Sequence, residues 1–123
     1  MTILWVGLGG FLGANARYFL GAAIMQRWGG IFPWGTLVVN ITGSFILGFF
    51  MAFAQSRPWV QPNFRLLFAV GIVGGYTTFS TFTYDSVRLA LDGELLLATA
   101  NVTTSVLLGC LAVIAGIILG ERI

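Results

Sequence analysis

The segment 74–82, Gly-Gly-Tyr-Thr-Thr-Phe-Ser-Thr-Phe, is the feature that most constrains how this chain folds. It lies inside an apolar run long enough to cross a bilayer, yet it brings five hydroxyl side chains and a glycine pair. Inside lipid, irregular backbone is tolerated only where it is buried in protein or lines a wet cavity. Interruptions of this kind commonly bind an ion or a substrate through freed carbonyls and helix ends. The segment therefore indicates permeation rather than anchoring.

The composition places the rest of the chain in a membrane as well. Only 8% of the 123 residues are charged and 58% are hydrophobic, whereas a soluble domain carries about 25% charged residues. The length leaves room for roughly four helical spans of ~20–25 residues and for no additional soluble domain. We predict an all-α membrane protein, with residues 1–123 as one domain and a break in the third of four transmembrane helices. The predicted spans are about 2–25, 35–55, 64–91 and 95–120.

The charges that orient membrane proteins are almost balanced here. Four spans place both termini on one side, together with Arg57, Arg65 and Arg122, while Arg27 and Arg88 lie opposite. An excess of basic residues on one side normally fixes the orientation. Either other determinants fix a single orientation, or the chain inserts in both. Small residues also recur at four-residue spacing along several spans, which favours close helix packing and an oligomer.

Arg17 lies deep in the first span, where a charged side chain is costly. An arginine inside a membrane is a functional-site hypothesis by default. It can instead reach the interface, or bind carbonyls at the end of a neighbouring helix. A positive charge at an entry vestibule would also attract anions. The structural role and the vestibule role are compatible.

Two spans carry polar stripes. Thr36, Asn40 and Ser44 follow one another at four-residue spacing and share one face of the second span, and Asn101 and Ser105 do the same in the fourth. Such stripes either form hydrogen bonds between helices or line a pathway. Each stripe alone is more typical of helix packing.

Phe79 and Phe82 lie one turn apart and face the same way. Most aromatic pairs at this spacing are packing contacts, but a ring edge is weakly positive and can face an anion. The neighbouring Thr78, Ser80 and Thr81 supply hydrogen-bond donors. Conduction requires binding that is favourable on entry and weak enough for exit. Neutral donors and ring edges, without lysine or histidine, meet that requirement for a small anion.

The acidic residues and the missing residue types limit the other functions. Asp85 is the first acidic residue of the chain, so the first two spans lack the embedded carboxylate that a proton-coupled exporter needs. Asp85 itself is either a group at the end of the pathway or a partner of an arginine such as Arg88. With no histidine and one cysteine, the chain has no nucleophile–base set or soft metal cluster. We therefore expect no enzyme activity.

Three motifs together resemble the small bacterial Fluc (CrcB-type) fluoride channels. They are the segment 74–82, the stretch Gly-Thr-Leu-Val-Val-Asn at 35–40, and Gly10, Gly13 and Arg17 in the first span. The resemblance extends along essentially the whole chain. It implies an antiparallel, dual-topology homodimer in the bacterial inner membrane. Two pathways in that dimer would export fluoride passively and confer fluoride resistance.

The resemblance also implies residue roles. The anion-pathway residues would be Asn40, Phe79, Ser80, Thr81, Phe82 and Ser105. The vestibule residues would be Arg17 and Thr36. A structural sodium ion at the dimer centre would be held by the backbone carbonyls of Gly74 and Thr77. The sequence departs from the family pattern at Asp85, where a glutamate is expected, and at Gly109 and Val113, where relatives can continue the hydroxyl track.

Two alternatives remain open beside the channel. A small multidrug exporter shares the size, the four spans and the dual topology, but the first span lacks the glutamate that such exporters use. A non-transporting assembly subunit of the membrane would use the polar stripes only to hold its helices together.

Overall fold

The chain folds entirely into helices. A computed structural model describes residues 1–123 and contains no strand. Helix α1 is Thr2–Trp28 and α2 is Trp34–Gln55. Helix α3 consists of three consecutive pieces, which are Pro62–Arg65, the π-helical Leu66–Val73 and Gly74–Tyr76. Helix α4 is Phe79–Leu91 and α5 is Leu95–Arg122.

Three helical stretches are long and apolar enough to cross a membrane. They are Trp34–Gln55, Pro62–Leu91 and Leu95–Arg122, and the second of them contains α3, α4 and the residues between them. The prediction of an all-helical, multi-pass membrane protein is confirmed at this level. The helices extend a few residues beyond some predicted spans, as in α1, which continues through the polar Gln26 and Arg27.

Helix α1 packs along α3 through glycine contacts. A Cβ atom added at Gly9 would lie 2.7 Å from the Cα of Gly71, and one at Gly75 would lie 3.0 Å from the carbonyl oxygen of Gly10. No side chain fits between the two backbones at these points. The π-helical turns of α3 face this contact, and no sequence signal predicted them. The close approach places the middle of α1, including Arg17, beside the end of α3.

Helix α2 packs along most of α5, and α4 packs mainly on α5. A Cβ atom added at Gly116 of α5 would lie 2.7 Å from the backbone nitrogen of Phe49, so this contact is also a backbone-to-backbone approach. At one end of the bundle Phe50, Ala54 and Val60 form a buried apolar cluster. Helix α2 therefore lies between α5 and the α1–α3 pair.

Two arginines bind the carbonyls at the C-terminal end of α2. Arg65 donates from Nη2 to the carbonyl of Ala54 at 2.6 Å. Arg57 donates to the carbonyl of Phe53 at 3.2 Å, and its guanidinium carbon lies 3.9 Å from the centre of the Phe53 ring. The last carbonyls of a helix have no partner within the helix, and cationic side chains can satisfy them. These arginines therefore help to hold the α2–α3 loop.

Candidate functional site

The helical backbone is interrupted at Thr77 and Thr78, which both adopt extended conformations between α3 and α4. The side chain of Asn40 lies against this interruption. Its Oδ1 accepts from the N–H of Thr78 at 2.8 Å, and its Nδ2 donates to the carbonyl of Thr78 at 3.0 Å. One amide thus satisfies both backbone polar groups of Thr78, as a neighbouring β-strand would. The second N–H of the Asn40 amide has no acceptor in the chain.

The side chain of Thr78 begins the next helix. Its Oγ1 accepts from the backbone N–H of Thr81 at 3.2 Å, which is the usual role of an N-cap threonine. The same Oγ1 donates to the hydroxyl of Thr81 at 3.0 Å and lies 3.3 Å from that of Ser80. The three hydroxyls therefore form one cluster at the start of α4.

These bonds explain why the carbonyls of Gly74 and Thr77 lack their helical donors. In a continuous helix, the N–H of Thr78 would donate to Gly74 and the N–H of Thr81 would donate to Thr77. Here those N–H groups donate to the side chains of Asn40 and Thr78 instead. The carbonyl of Thr77 accepts from Arg17 Nη1 at 3.3 Å. Neutral carbonyl oxygens are suitable ligands for a hard cation, so the residues present fit a sodium ion.

A cavity of about 480 Å³ lies on one side of Thr78. Its lining residues with polar side chains are Arg17, Tyr18, Thr36, Thr78, Thr81 and Asp85, so both predicted vestibule residues line it. The hydroxyl of Thr36 donates to Oδ2 of Asp85 at 2.9 Å, which uses its only hydrogen. Arg17 forms no salt bridge within the chain. Its charge therefore remains available to an anion in this cavity.

The position of Asp85 separates the two roles that the sequence left open. Arg88 forms its ion pair with Asp92, at 3.3 Å between Nε and Oδ2 on the surface. Asp85 bonds Thr36 inside the cavity instead. Within the chain, Asp85 is therefore a cavity group and not the partner of Arg88.

A second cavity, of about 300 Å³, lies on the other side of Thr78. It brings together four of the six predicted pathway residues, which are Asn40, Phe79, Phe82 and Ser105. The rings of Phe79 and Phe82 lie 5.7 Å apart between centroids. The Oγ atom of Ser105 is buried and has no hydrogen-bond partner in the chain. Ser80 lines neither cavity, and Thr81 lines the first one.

Two residues, Thr78 and Tyr76, have structural roles at the site that were not predicted from the sequence. Thr78 lines both cavities, so it marks the point where they meet. A threonine directly before an amphipathic stretch is an N-cap signal that the sequence already contained. Tyr76 is buried, and its hydroxyl lies 2.7 Å from that of Thr42, which ties the end of α3 to α2. Gly43 leaves the room for this contact, because a Cβ atom there would lie 3.1 Å from the Tyr76 ring.

A family match and several similar relatives agree on the family of this chain. Residues 4–117 match the family described as CrcB-like protein, Camphor Resistance (CrcB). A protein of Koribacter versatilis named fluoride-specific ion channel FluC is 48% identical over 113 residues, covering 92% of this chain and 89% of the relative. Proteins of the same name from Rhizobium meliloti and Acidobacterium capsulatum are 45% and 43% identical, over 95% and 100% of this chain and 94% and 98% of their own lengths. These relatives are named as ion channels and not as enzymes, in agreement with the expectation of no enzyme activity. The chain belongs to the CrcB-like family.

Proposed function

We propose that this protein is a channel through which fluoride crosses the membrane passively. The observation that carries the proposal is the hydroxyl of Ser105, which is buried and has no partner. Ser105 lines the same cavity as Asn40, Phe79 and Phe82. A buried hydroxyl without a partner is costly, so a ligand that accepts a hydrogen bond would stabilise it. The names of the relatives supply the identity of that ligand.

The chemistry of the second cavity suits a small anion that must both enter and leave. Ser105 and the free N–H of Asn40 are neutral donors, and the rings of Phe79 and Phe82 can present weakly positive edges. No charged side chain lines this cavity, so no fixed cation would hold the ion too tightly. Arg17, in the first cavity, would concentrate anions at the entrance. Ser80 and Thr81 would serve the path through their hydroxyl cluster with Thr78.

We propose that the working unit is an antiparallel homodimer of four-span chains in the bacterial inner membrane. Helix α1, the first of the four spans, has 27 residues, which correspond to about 40 Å of helix. In the single chain the Phe79 side chain is 76% exposed, and Ser80 and Thr81 are exposed beside it. Hydroxyls at that depth need polar surroundings, and a second copy would cover them. The near-balance of the arginines supports opposite orientations for the two copies.

A structural sodium ion at the centre of this dimer would explain the freed carbonyls. Gly74 and Thr77 each offer a carbonyl whose helical donor is bonded elsewhere. Two copies related by a twofold axis present the same atoms twice, so two carbonyls per chain become four oxygens. The sodium ion would supply a positive charge that holds the two broken helices together. The Thr77 carbonyl would then bind the ion and accept from Arg17 at the same time.

An efflux assay on the purified protein tests the function directly. Proteoliposomes loaded with potassium fluoride or potassium chloride are diluted into halide-free buffer, and a potassium ionophore compensates the charge. We expect rapid loss of fluoride and retention of chloride, with protein-free liposomes as the control. Comparable chloride loss, or fluoride loss that requires an imposed proton gradient, would overturn the proposal. The second outcome would favour a coupled exporter.

A further inference from the structure

Asn101 is the most deeply buried polar side chain of the protein, with 0% of it exposed. Its Nδ2 donates to Oγ of Ser86 at 2.9 Å, and Oγ of Ser86 donates to the carbonyl of Phe82 at 2.8 Å. Two consecutive hydrogen bonds therefore run from the second turn of α5 to the backbone of Phe82. A buried amide is costly unless it is bonded, so the bond to Ser86 offsets part of the cost of burying Asn101.

The two helices place the ends of this connection beside the second cavity. Phe82 and Ser86 lie one turn apart on α4, and Asn101 and Ser105 lie one turn apart on α5. The tight turn at Gly93 makes the helices antiparallel neighbours. Ser86 therefore lies opposite Asn101, while Phe82 and Ser105 line the cavity together. The hydrogen bond between Ser86 and Asn101 therefore fixes how Phe82 and Ser105 are aligned across the cavity.

No other side-chain hydrogen bond joins α4 to α5. The hydroxyls of Thr99 and Thr104 donate to carbonyls of their own helix, those of Leu95 and Ala100. The hydroxyl of Thr83 likewise bonds carbonyls within α4. Apolar contacts between two helices allow small rotations, whereas a hydrogen bond has a preferred length and direction. Helix α4 is also short, with 13 residues, and it follows the interruption at Thr77 and Thr78.

We propose that Asn101 and Ser86 are positioning residues of the pathway, which hold α4 in the rotation that points Phe82 into the cavity shared with Ser105. The inference rests on the proposed function only in assigning Phe82 to the pathway. The coupling between Asn101 and the Phe82 ring is a property of the fold, so it can be measured without any ion.

Asn101→Leu is the main variant, because leucine is of similar size and cannot donate. It also removes the buried Oδ1 of Asn101, which has no partner, so the fold loses no satisfied acceptor. Ser86→Ala breaks the same connection from the other side, in case the first variant does not fold. Ser86→Thr keeps a hydroxyl that can bond the carbonyl four residues earlier. Thr104→Val is the matched control, since its hydroxyl bonds only its own helix.

The ring of Phe82 is observed by fluorine NMR after incorporation of 3-fluorophenylalanine at position 82, in fluoride-free buffer. We expect one narrow signal from the unmodified protein, Ser86→Thr and Thr104→Val. We expect a split or broadened signal from Asn101→Leu, from Ser86→Ala and from the double variant that combines these two substitutions. Fluoride efflux should fall by about fivefold to tenfold in these three variants, the factor that one hydrogen bond of ordinary net strength represents. The double variant should be no worse than either single one.

Two results would overturn the inference. One is a Phe82 signal and an efflux rate that are unchanged in both Asn101→Leu and Ser86→Ala. The other is a double variant whose losses are the sum of the single ones, because independent effects add. If the unmodified protein carries no fluoride, the proposed function fails, while the fluorine signal still decides whether Asn101 positions the ring.

Discussion

The side-chain amide of Asn40 pairs with both backbone polar groups of Thr78, at 2.8 Å to its nitrogen and 3.0 Å to its oxygen. This pairing keeps the interrupted backbone satisfied inside the bundle. It also takes the N–H that would otherwise bond the Gly74 carbonyl. A residue of α2 therefore controls both the end of α3 and the wall of the second cavity.

Asn40→Asp should impair folding and transport together. A carboxylate still accepts from the N–H of Thr78, but it cannot donate to the Thr78 carbonyl and would repel it. We expect a loss of about 1–3 kcal/mol of stability, the usual cost of an unsatisfied buried group, and no measurable fluoride efflux. Thermal unfolding in detergent and the efflux assay measure the two effects. Asn63→Asp, in the exposed start of α3, is the control and should behave like the unmodified protein. Normal efflux in Asn40→Asp would contradict the role given to this amide.

Phe82→Ile should leave a folded protein that transports poorly. Isoleucine keeps much of the apolar volume but has no ring edge. We expect the fluoride efflux rate to fall about twofold to tenfold, because an aromatic contact contributes roughly 0.5–1.5 kcal/mol beyond its area. Phe64→Ile is the matched control, because Phe64 packs against Phe50 and Phe68, and lines neither cavity. Equal efflux in the two variants would return Phe82 to a packing role.

Gly74 and Gly75 should respond differently to an added methyl group. A Cβ atom at Gly74 would meet nothing closer than 3.6 Å in its own chain, whereas one at Gly75 would lie 3.0 Å from the Gly10 carbonyl. Gly75→Ala should therefore destabilise the single chain by about 1–3 kcal/mol, the usual cost of overpacking. Gly74→Ala should leave the chain folded and disturb only the dimer centre.

The proposed sodium ion makes the Gly74 prediction specific. Both variants, Gly74→Ala and Thr77→Val, keep their backbone carbonyls. Gly74→Ala adds a methyl group at the dimer centre and should weaken the sodium dependence of fluoride efflux, while Thr77→Val hardly changes the side-chain volume and should preserve it. The measurement is efflux in sodium buffer compared with a buffer of a much larger organic cation. Efflux of the unmodified protein that is identical in the two buffers would rule out an essential exchangeable sodium ion. A density map without a feature at the twofold axis would exclude the ion altogether.

The helices were largely predictable because long apolar runs and turns with proline or glycine leave few alternatives. The polar face of α2 was predictable too, because the four-residue spacing of Asn40 and Ser44 places both on one side of the helix, and both line the second cavity. The pairing of Asn40 with Thr78 was not, because it joins residues 38 positions apart through atoms whose geometry no periodicity encodes. The spacing of Asn101 indicated a bond between helices, but it did not identify the partner, Ser86, 15 positions away. The π-helical turns of α3 pack on α1 and have no local signal in the sequence.

The orientation of the chain should be adjustable by a few added charges. Arg57, Arg65 and Arg122 face the side of the termini in a four-span chain, and Arg27 and Arg88 face the other side. Because the balance is close, two or three lysines added at the C-terminus should bias insertion toward one orientation. If the dimer is antiparallel, that variant alone should lose most of its fluoride efflux. Co-expression with a partner biased the other way, by lysines in the loop between α1 and α2, should restore it.

The control for this experiment separates orientation from stability. Arg65 holds the Ala54 carbonyl as well as carrying a charge, so Arg65→Lys should reduce thermal stability without changing the orientation. The orientation is read by labelling single cysteines at the C-terminus with an impermeant reagent, after Cys110 is replaced by serine. The unmodified protein should show the C-terminus on both sides of the membrane. If every molecule has it on one side, the antiparallel arrangement is wrong, and the hydroxyls of Ser80 and Thr81 must be covered by a parallel copy or by another protein.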